Sequence, residues 1–365
     1  MVRYTTTSQY VDFNTGELTN FTYPAAPAWI AALGRMYEQA VKYEDMTLPG
    51  YFNFPKGSEI PEDLLLPFSE FVKKYDLYDA MPMIFQTTGL GAGDVPNILT
   101  LYVLSAFGPE MIRGFIGLGS SFTPASGRNI EVYEKIAQRL GKDVLYSSTV
   151  YQTLRTPIGV SLYVKNAAGK STLILARRLL VAIEPTQANL EPFDLDSTEK
   201  AIFNKMQFTT VHGALVSHPS LPRGVSLINT PAAAAPNNYL AVPAPNHNAR
   251  FDHFADDNFR IIMVGKQDLT LQGAQQIVRD NFDTLVEGGI IPGPASSKDL
   301  VIKSWSDHGA MHMYVTKEDL QNNFIQKMYA LQGRRATWYT GGAWGVHFQS
   351  VLWAFNDIII PKMLK

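Results

Sequence analysis

The sequence predicts an α/β protein of two domains. Its length, 365 residues, fits two units of about 150 residues each. Apolar residues recur at both helical and strand spacing along the chain. The carboxy-terminal stretch then sets a strand-like Trp338-Tyr-Thr, a glycine pair and an apolar helix in succession.

Composition narrows the function classes. With 46% hydrophobic and 18% charged residues, the chain can bury a sizeable core and is not a disordered sequence. A net charge of −2 without a dense Lys/Arg run argues against nucleic acid or an anionic membrane as the main partner. No apolar stretch approaches the ~20 residues of a membrane span. Cysteine is absent, which excludes disulfides, thiolate nucleophiles and Cys-ligated zinc and leaves the compartment open. The opening Met1-Val-Arg-Tyr-Thr has no apolar core of the kind a signal peptide needs.

Taken in order, residues 10–13, a turn at Asn14-Thr-Gly16, and residues 18–23 read as a β-hairpin. Spaced apolar residues separated by Pro and Gly predict helices over 29–43, 61–75 and 97–107. Pro61 followed by Glu62 and Asp63 suits a first helical turn. Ser126-Gly-Arg-Asn129 leads into a helix with Ile130, Tyr133, Ile136, Ala137 and Leu140 on one face. Glu131 and Lys135 stand four apart on its other side, and Gly141 closes it. Strands follow at 144–146, 150–154, 160–164, 173–175 and 179–183, as in a small antiparallel meander. Asp196 or Ser197 caps a helix reaching 206, with Glu199 in its first turn. Strand-like pieces at 208–216, 225–228 and 259–264 come next, then a helix at 271–282 and a strand-like 300–305. Pro231-Ala-Ala-Ala-Ala-Pro-Asn-Asn reads as a surface loop.

The closing stretch carries the most chemistry. Gly341 and Gly342 let the backbone approach a ligand closely. Val351, Leu352, Phe355, Ile358 and Ile359 fall at helical spacing behind them. Trp344, His347 and Ser350 stand in the turn that opens this helix. Its unpaired N–H groups and positive dipole end suit an electron-rich or anionic ligand.

In its order of parts, Leu331-Gln-Gly-Arg-Arg-Ala-Thr-Trp-Tyr-Thr-Gly-Gly-Ala-Trp344 resembles the closing motif of flavin-containing amine oxidoreductases. It is most similar to that of the beta-cyclopiazonate dehydrogenase-like branch of FAD-dependent oxidoreductases. The resemblance implies an amine-oxidase-like two-domain fold, with an FAD-binding domain and an α+β substrate domain built on an antiparallel-rich sheet. It places Val150 beside the adenine, and Val181 and Glu184 near the ribose and pyrophosphate. Thr340, Gly341, Gly342, Trp344, His347 and Phe348 fall around the isoalloxazine. Tyr339 and Trp344 are the expected aromatic wall, while Trp353 is expected in the core. His212 stands where amine oxidases often have a Lys near flavin N5. The implied reaction is hydride removal from a carbon next to nitrogen in a small organic substrate, with backbone donors around Val346–Phe348 stabilising charge on the reduced ring. Without cysteine no thioether link can form, so FAD is expected to be non-covalent, with a link through His as the alternative.

One expected part is absent. Dinucleotide folds hold the pyrophosphate on a G-x-G-x-x-G turn after the first strand. Gly89-Leu-Gly-Ala-Gly-Asp94 has Asp where the third Gly of the pattern should stand, and Gly114-Phe-Ile-Gly-Leu-Gly119 misses the spacing. The chain therefore resembles a family member without its N-terminal flavin-binding unit, and an inactive remnant serving as a binding module is the alternative. The expected division is 1–120 and 191–310 for the substrate domain, and 121–190 and 311–365 for the remaining FAD-binding pieces.

Other motifs carry less. His308 and His312 are four apart, but Gly309 weakens a helix there and no H-E-x-x-H appears, so no metal is expected. The polar run Asn246-His-Asn-Ala-Arg-Phe-Asp-His253, with Asp256 and Asp257, reads as a solvated loop. No G-x-S-x-G elbow marks a serine hydrolase.

Overall fold

The computed structural model describes residues 6–87, 93–120 and 122–365. Its strands are β1 Thr7–Asp12, β2 Glu17–Leu18, β3 Ser148–Thr156, β4 Gly159–Asn166, β5 Ser171–Ala176 and β6 Leu179–Val181. After these come β7 Gln207–Ser217, β8 Val225–Asn229, β9 His247–Ala255, β10 Asn258–Lys266, β11 Val301–Tyr314 and β12 Thr337–Tyr339. The helices begin with α1 Ala26–Ala40, α2 Glu44–Thr47, α3 Phe68–Tyr75, α4 Met81–Thr87, α5 Thr100–Ala106, α6 Pro109–Phe115 and α7 Ile130–Leu140. They continue with α8 Gln187–Leu190, α9 Ser197–Phe203, α10 Leu271–Glu287, α11 Lys317–Gln321, α12 Phe324–Tyr329 and α13 Gln349–Leu364. Gly89 to Gly91, the first part of one glycine-rich stretch, lie outside the described residues.

The chain divides into two units, each assembled from three segments. Unit 1 is Met1–Glu44, Ser58–Pro109 and Gln207–Lys317; unit 2 is Asp45–Gly57, Glu110–Met206 and Glu318–Lys365.

Unit 1 is built on a seven-stranded sheet in the order β11-β7-β10-β9-β8-β1-β2. All pairs are antiparallel except β1 with β8. The helix α10 covers one face. Ala274, Val278, Phe282 and Leu285 repeat at helical spacing and pack with Val11, Val216, Phe251 and Ile261 of the sheet. The Thr270 side chain caps this helix by accepting from Gly273 N.

Unit 2 holds the antiparallel β3-β4-β5 meander and a two-stranded parallel pair, β12 with β6. Here α7 has the bounds its periodicity predicts, yet none of its residues is buried. Ile130, Tyr133, Ile136 and Leu140 are 45–52% exposed, so an apolar stripe faces outward. No helix among the described residues is long and apolar enough to cross a membrane.

Several local expectations need correction. The 61–75 helix is broken into a short turn at Glu62–Leu65 and α3, with Leu66 extended at ψ 145. Pro67 causes this, because a proline disfavours the α conformation of the residue before it. The 246–253 run is strand β9, not a solvated loop; His247, Ala249, Phe251 and His253 alternate inward and are buried. The polar composition hid the period-2 pattern. The stretch holding His308 and His312 is strand β11, with a left-handed His312 at φ 50. Among the described residues no group of three His, Cys, Asp or Glu could hold a metal ion. Trp353 is 50% exposed on α13 rather than in the core.

Candidate functional site

Strands β6 and β12 run side by side, pairing Leu179 with Thr337 and Val181 with Tyr339. Thr340 N extends the ladder to Val181 O at 2.9 Å. Both chains then leave the pair at their carboxyl ends, the position where open α/β sheets form ligand crevices. From β6 comes Glu184; from β12 come Gly341 and Gly342.

The turn after β12 is fixed from several sides. Trp344 N and Gly345 N both donate to Gly341 O, at 3.1 and 3.2 Å. Gly341 sits at φ 111, a backbone conformation that L side chains rarely adopt. At Gly342 a Cβ would stand 2.0 Å from the His347 ring, so no side chain fits there without moving it. The Thr340 hydroxyl donates to Asn356 Oδ1 at 2.6 Å, tying the turn to α13. Phe348 is the N-cap of α13 and provides no side-chain cap, which leaves first-turn N–H groups without partners inside the helix.

Glu184 is the charged group of this turn. Its carboxyl accepts the backbone N–H groups of Gly342 and Ala343, but burial dominates and pushes it up to about 7. Its Oε2 has no hydrogen-bond partner. His347 Nε2 lies 4.0 Å from Glu184 Oε1, while burial brings His347 down to about 4. Between these two values both groups are neutral, so they face each other without forming an ion pair.

Beneath the turn lie Tyr339 and Trp344, each 1% exposed. Their rings stack at 4.9 Å with an interplanar angle of 19°. Trp344 O accepts from the Tyr329 hydroxyl, which in turn accepts from Tyr51 N at 2.7 Å.

What holds Tyr339 has little local signature along the chain. The Arg155 side chain on β3 is wholly buried. It donates from Nε to Asp194 (2.9 Å) and from Nη1 and Nη2 to the two oxygens of Glu199 (2.8 and 2.9 Å). Arg155 Nη1 also reaches the Tyr339 hydroxyl at 3.2 Å, and that hydroxyl donates to Glu199 Oε1 at 3.1 Å. Arg335 adds bonds to Asp194 and Glu199, so two cations face two anions. Burial opposes the charge on Asp194, yet the Arg155 hydrogen bond prevails and holds its carboxyl below the usual range. Burial, then Glu199, pushes the Tyr339 hydroxyl up. The inward alternation of Thr153 and Arg155 on β3 is the one local signal for this cluster.

The expected site residues thus divide. Val181, Glu184, Tyr339, Thr340, Gly341, Gly342, Trp344, His347 and Phe348 come together around one turn of unit 2. Val150 lies on β3, paired with Val164 in the meander. His212 belongs to unit 1, on β7. It is 1% exposed, and its Nδ1 accepts from Trp305 Nε1 at 3.3 Å. Asp307 Oδ1 lies 3.4 Å from the same nitrogen, so Nδ1 meets both a donor and a carboxylate. Nε2 has no hydrogen-bond partner. Burial lowers the His212 pKa.

Comparison with known proteins decides the family. No family model matches the chain. The beta-cyclopiazonate dehydrogenase of Aspergillus flavus is 30% identical over 355 residues, 97% of this chain and 74% of that protein. The chain belongs to the beta-cyclopiazonate dehydrogenase-like FAD-dependent oxidoreductases. An FAD-dependent oxidoreductase of Monascus ruber, pigF, is 28% identical over 359 residues, 97% of this chain and 73% of its own. Among solved structures, a fatty acid isomerase of P. acnes that produces CLA matches with a TM-score of 0.69 at 19% identity. That match covers 99% of this chain and 80% of the isomerase. A putrescine oxidase bound to putrescine matches with a TM-score of 0.57 at 13% identity, over 100% and 82% of the two chains. These two show the amine-oxidase-like fold.

The residues of this FAD-dependent oxidoreductase fit one end of the cofactor better than the other. Gly342, where a Cβ would meet the His347 ring, and the uncapped start of α13 suit the ring end, and the unpartnered Glu184 Oε2 suits a sugar hydroxyl. For the pyrophosphate end, the 365 residues contain no G-x-G-x-x-G turn.

Proposed function

We propose that unit 2 holds FAD non-covalently at the turn between β12 and α13, and that unit 1 holds a small organic, nitrogen-containing substrate. The observation that carries this is the buried Glu184 beside Gly342 and Ala343, with one oxygen committed to backbone amides and the other unpartnered. A bound flavin supplies the two-electron acceptor. The residues of this chain supply the rest. Glu184 Oε2 accepts from a hydroxyl of the cofactor. The N–H groups at the mouth of α13, with the helix dipole, favour negative charge on the ring edge they face. Tyr339 and Trp344, enclosed as they are, keep the turn in place and exclude water below it. His212, its pKa lowered by burial, is present as a neutral imidazole. The putrescine oxidase solved with putrescine, a diamine, supports a nitrogen-containing substrate.

Titrating the purified chain with FAD, read by flavin absorbance and fluorescence quenching, tests this reading. Saturable binding that Glu184→Ala weakens about tenfold, the loss of one hydrogen bond to the carboxyl, is the expected result. Binding that ignores Glu184 refutes the placement. A second reading, a binding module without redox activity, is favoured by the outward apolar stripe of α7. It predicts a colourless protein that does not quench FAD.

A further inference from the structure

Helix α7 carries an apolar stripe that nothing among the described residues covers. None of its 11 residues is buried, and Ile130, Tyr133, Ile136 and Leu140 are each about half exposed. A helix this short is marginal in water by itself, because most helices are held by burying one face. The four half-exposed side chains offer about 100 Å² apiece, about 400 Å² in all. A contiguous apolar patch of that size on a soluble protein is often functional.

Two features of the stripe select its partner. Ile130, Tyr133, Ala137 and Leu140 stand three, four and three residues apart, a series that reads alike from either end. A two-fold axis across the middle of the helix therefore sets Ile130 against Leu140 of a second copy. The same axis sets Tyr133 against Ala137, a large side chain facing a small one. One patch that complements itself in this way is what a two-fold dimer requires. Charge agrees with an antiparallel direction. Around the amino end, Arg128 pairs with Glu131 at 3.6 Å and with Glu134 at 3.2 Å, which leaves one negative charge in excess. Around the carboxyl end, Arg139 and Lys142 outnumber Asp143 by one, and Lys135 sits at the axis. An antiparallel pair brings the negative end of each copy to the positive end of the other, whereas a parallel pair stacks like on like. A lipid surface fits less well. Helices that lie on anionic membranes carry Lys and Arg on the polar face, and here that face mixes Glu131, Glu134, Lys135 and Arg139.

We propose that α7 is the interface of an antiparallel homodimer, with the stripes of two copies packed along one seam. The apolar area is about half of the ~800 Å² per partner of a standard interface, which sets the association at about micromolar strength or weaker. This interface does not depend on the proposed function, because it is read by mass and cross-linking rather than by flavin.

The chain contains no cysteine, so single introduced cysteines report the geometry directly. Ile130 and Leu140 lie ten residues apart, about 15 Å along the helix. In the antiparallel pair Ile130 faces Leu140 of the second copy and is too far from its own counterpart for a disulfide, which needs Cα atoms within about 7 Å. Mixed under mild oxidant, Ile130→Cys and Leu140→Cys should give a cross-linked dimer of the two variants, and neither alone should cross-link. Sedimentation velocity of the parent chain from about 1 µM to about 1 mM should show a monomer–dimer equilibrium. Tyr133→Ser/Leu140→Ser should raise the midpoint of that equilibrium about tenfold or more. A parent chain that stays monomeric throughout, Ile130→Cys alone cross-linking as readily as the mixture, or a monomer that pellets with phosphatidylserine vesicles overturns the proposal.

Discussion

Arg155→Met is the sharpest perturbation of the site's support. It removes six hydrogen bonds at once: those of Nε to Asp194, of Nη1 and Nη2 to Glu199, of Nη1 to the Tyr339 and Thr337 hydroxyls and of Nη2 to Asp194 O. Glu199 keeps its bond to Asp196 N, and its nearest remaining cation is Arg335 Nη1 at 3.4 Å. A carboxylate whose side chain is 1% exposed is then left under-compensated. Removing one partner of such a buried pair costs about 3–5 kcal/mol, a large part of a domain's ordinary stability. For a unit of this size that lowers the melting point by about 10 °C. Scanning calorimetry should show unit 2 melting early while unit 1 is unchanged. Near-UV circular dichroism should report looser packing of Tyr339 against Trp344. Arg155→Met/Glu199→Leu should recover much of the loss, because the stranded charge is gone. A loss below about 1 kcal/mol in the single variant, or additive losses in the double, would refute the view that these charges work as one unit.

Glu184 and His347 should give opposite pH signatures. The Glu184 carboxyl is raised to about 7 when folded. Its contribution is fully present below its unfolded value near 4.5 and is lost as pH rises through about 7, on the order of 2 kcal/mol. His347 is depressed to about 4, so its contribution is present above about 6.5 and lost as pH falls through 4. In urea titrations Glu184→Gln should therefore remove the loss at neutral pH, and a profile unchanged from the parent sinks this assignment. Gly342→Ala puts a methyl group 2.0 Å from the His347 ring, which must swing out of the turn. Loss of FAD quenching in Gly342→Ala, restored in Gly342→Ala/His347→Ala, is the expected pattern; undisturbed binding in the single variant would contradict it.

What could be read from the sequence was what local pattern encodes. The span of α7, the meander and the closing turn each follow from side-chain period or turn chemistry within one segment. The buried status of the α7 face does not, because periodicity identifies a stripe without saying what covers it. Strand β9 was lost to composition: His247, Asn248 and Arg250 look solvated until the alternation of Ala249, Phe251 and His253 is weighed. Arg155 and Glu199 are 44 residues apart, and the tie from Arg155 to Tyr339 spans 184. No local rule couples such positions. Trp353 shows the converse error, since an aromatic residue on an apolar helix need not face inward.

Because each unit draws on three separate stretches of chain, ribosomal synthesis cannot complete either one early. Strand β1 must wait more than two hundred residues for β8, as the Tyr10–Ile228 register shows. Closure over such distances is slow and leaves sticky intermediates exposed. A single proteolytic nick likewise cannot release either unit as one intact fragment. Recombinant production should depend strongly on temperature and chaperone supply, and attempts to express unit 2 alone would require rejoining its pieces through new linkers.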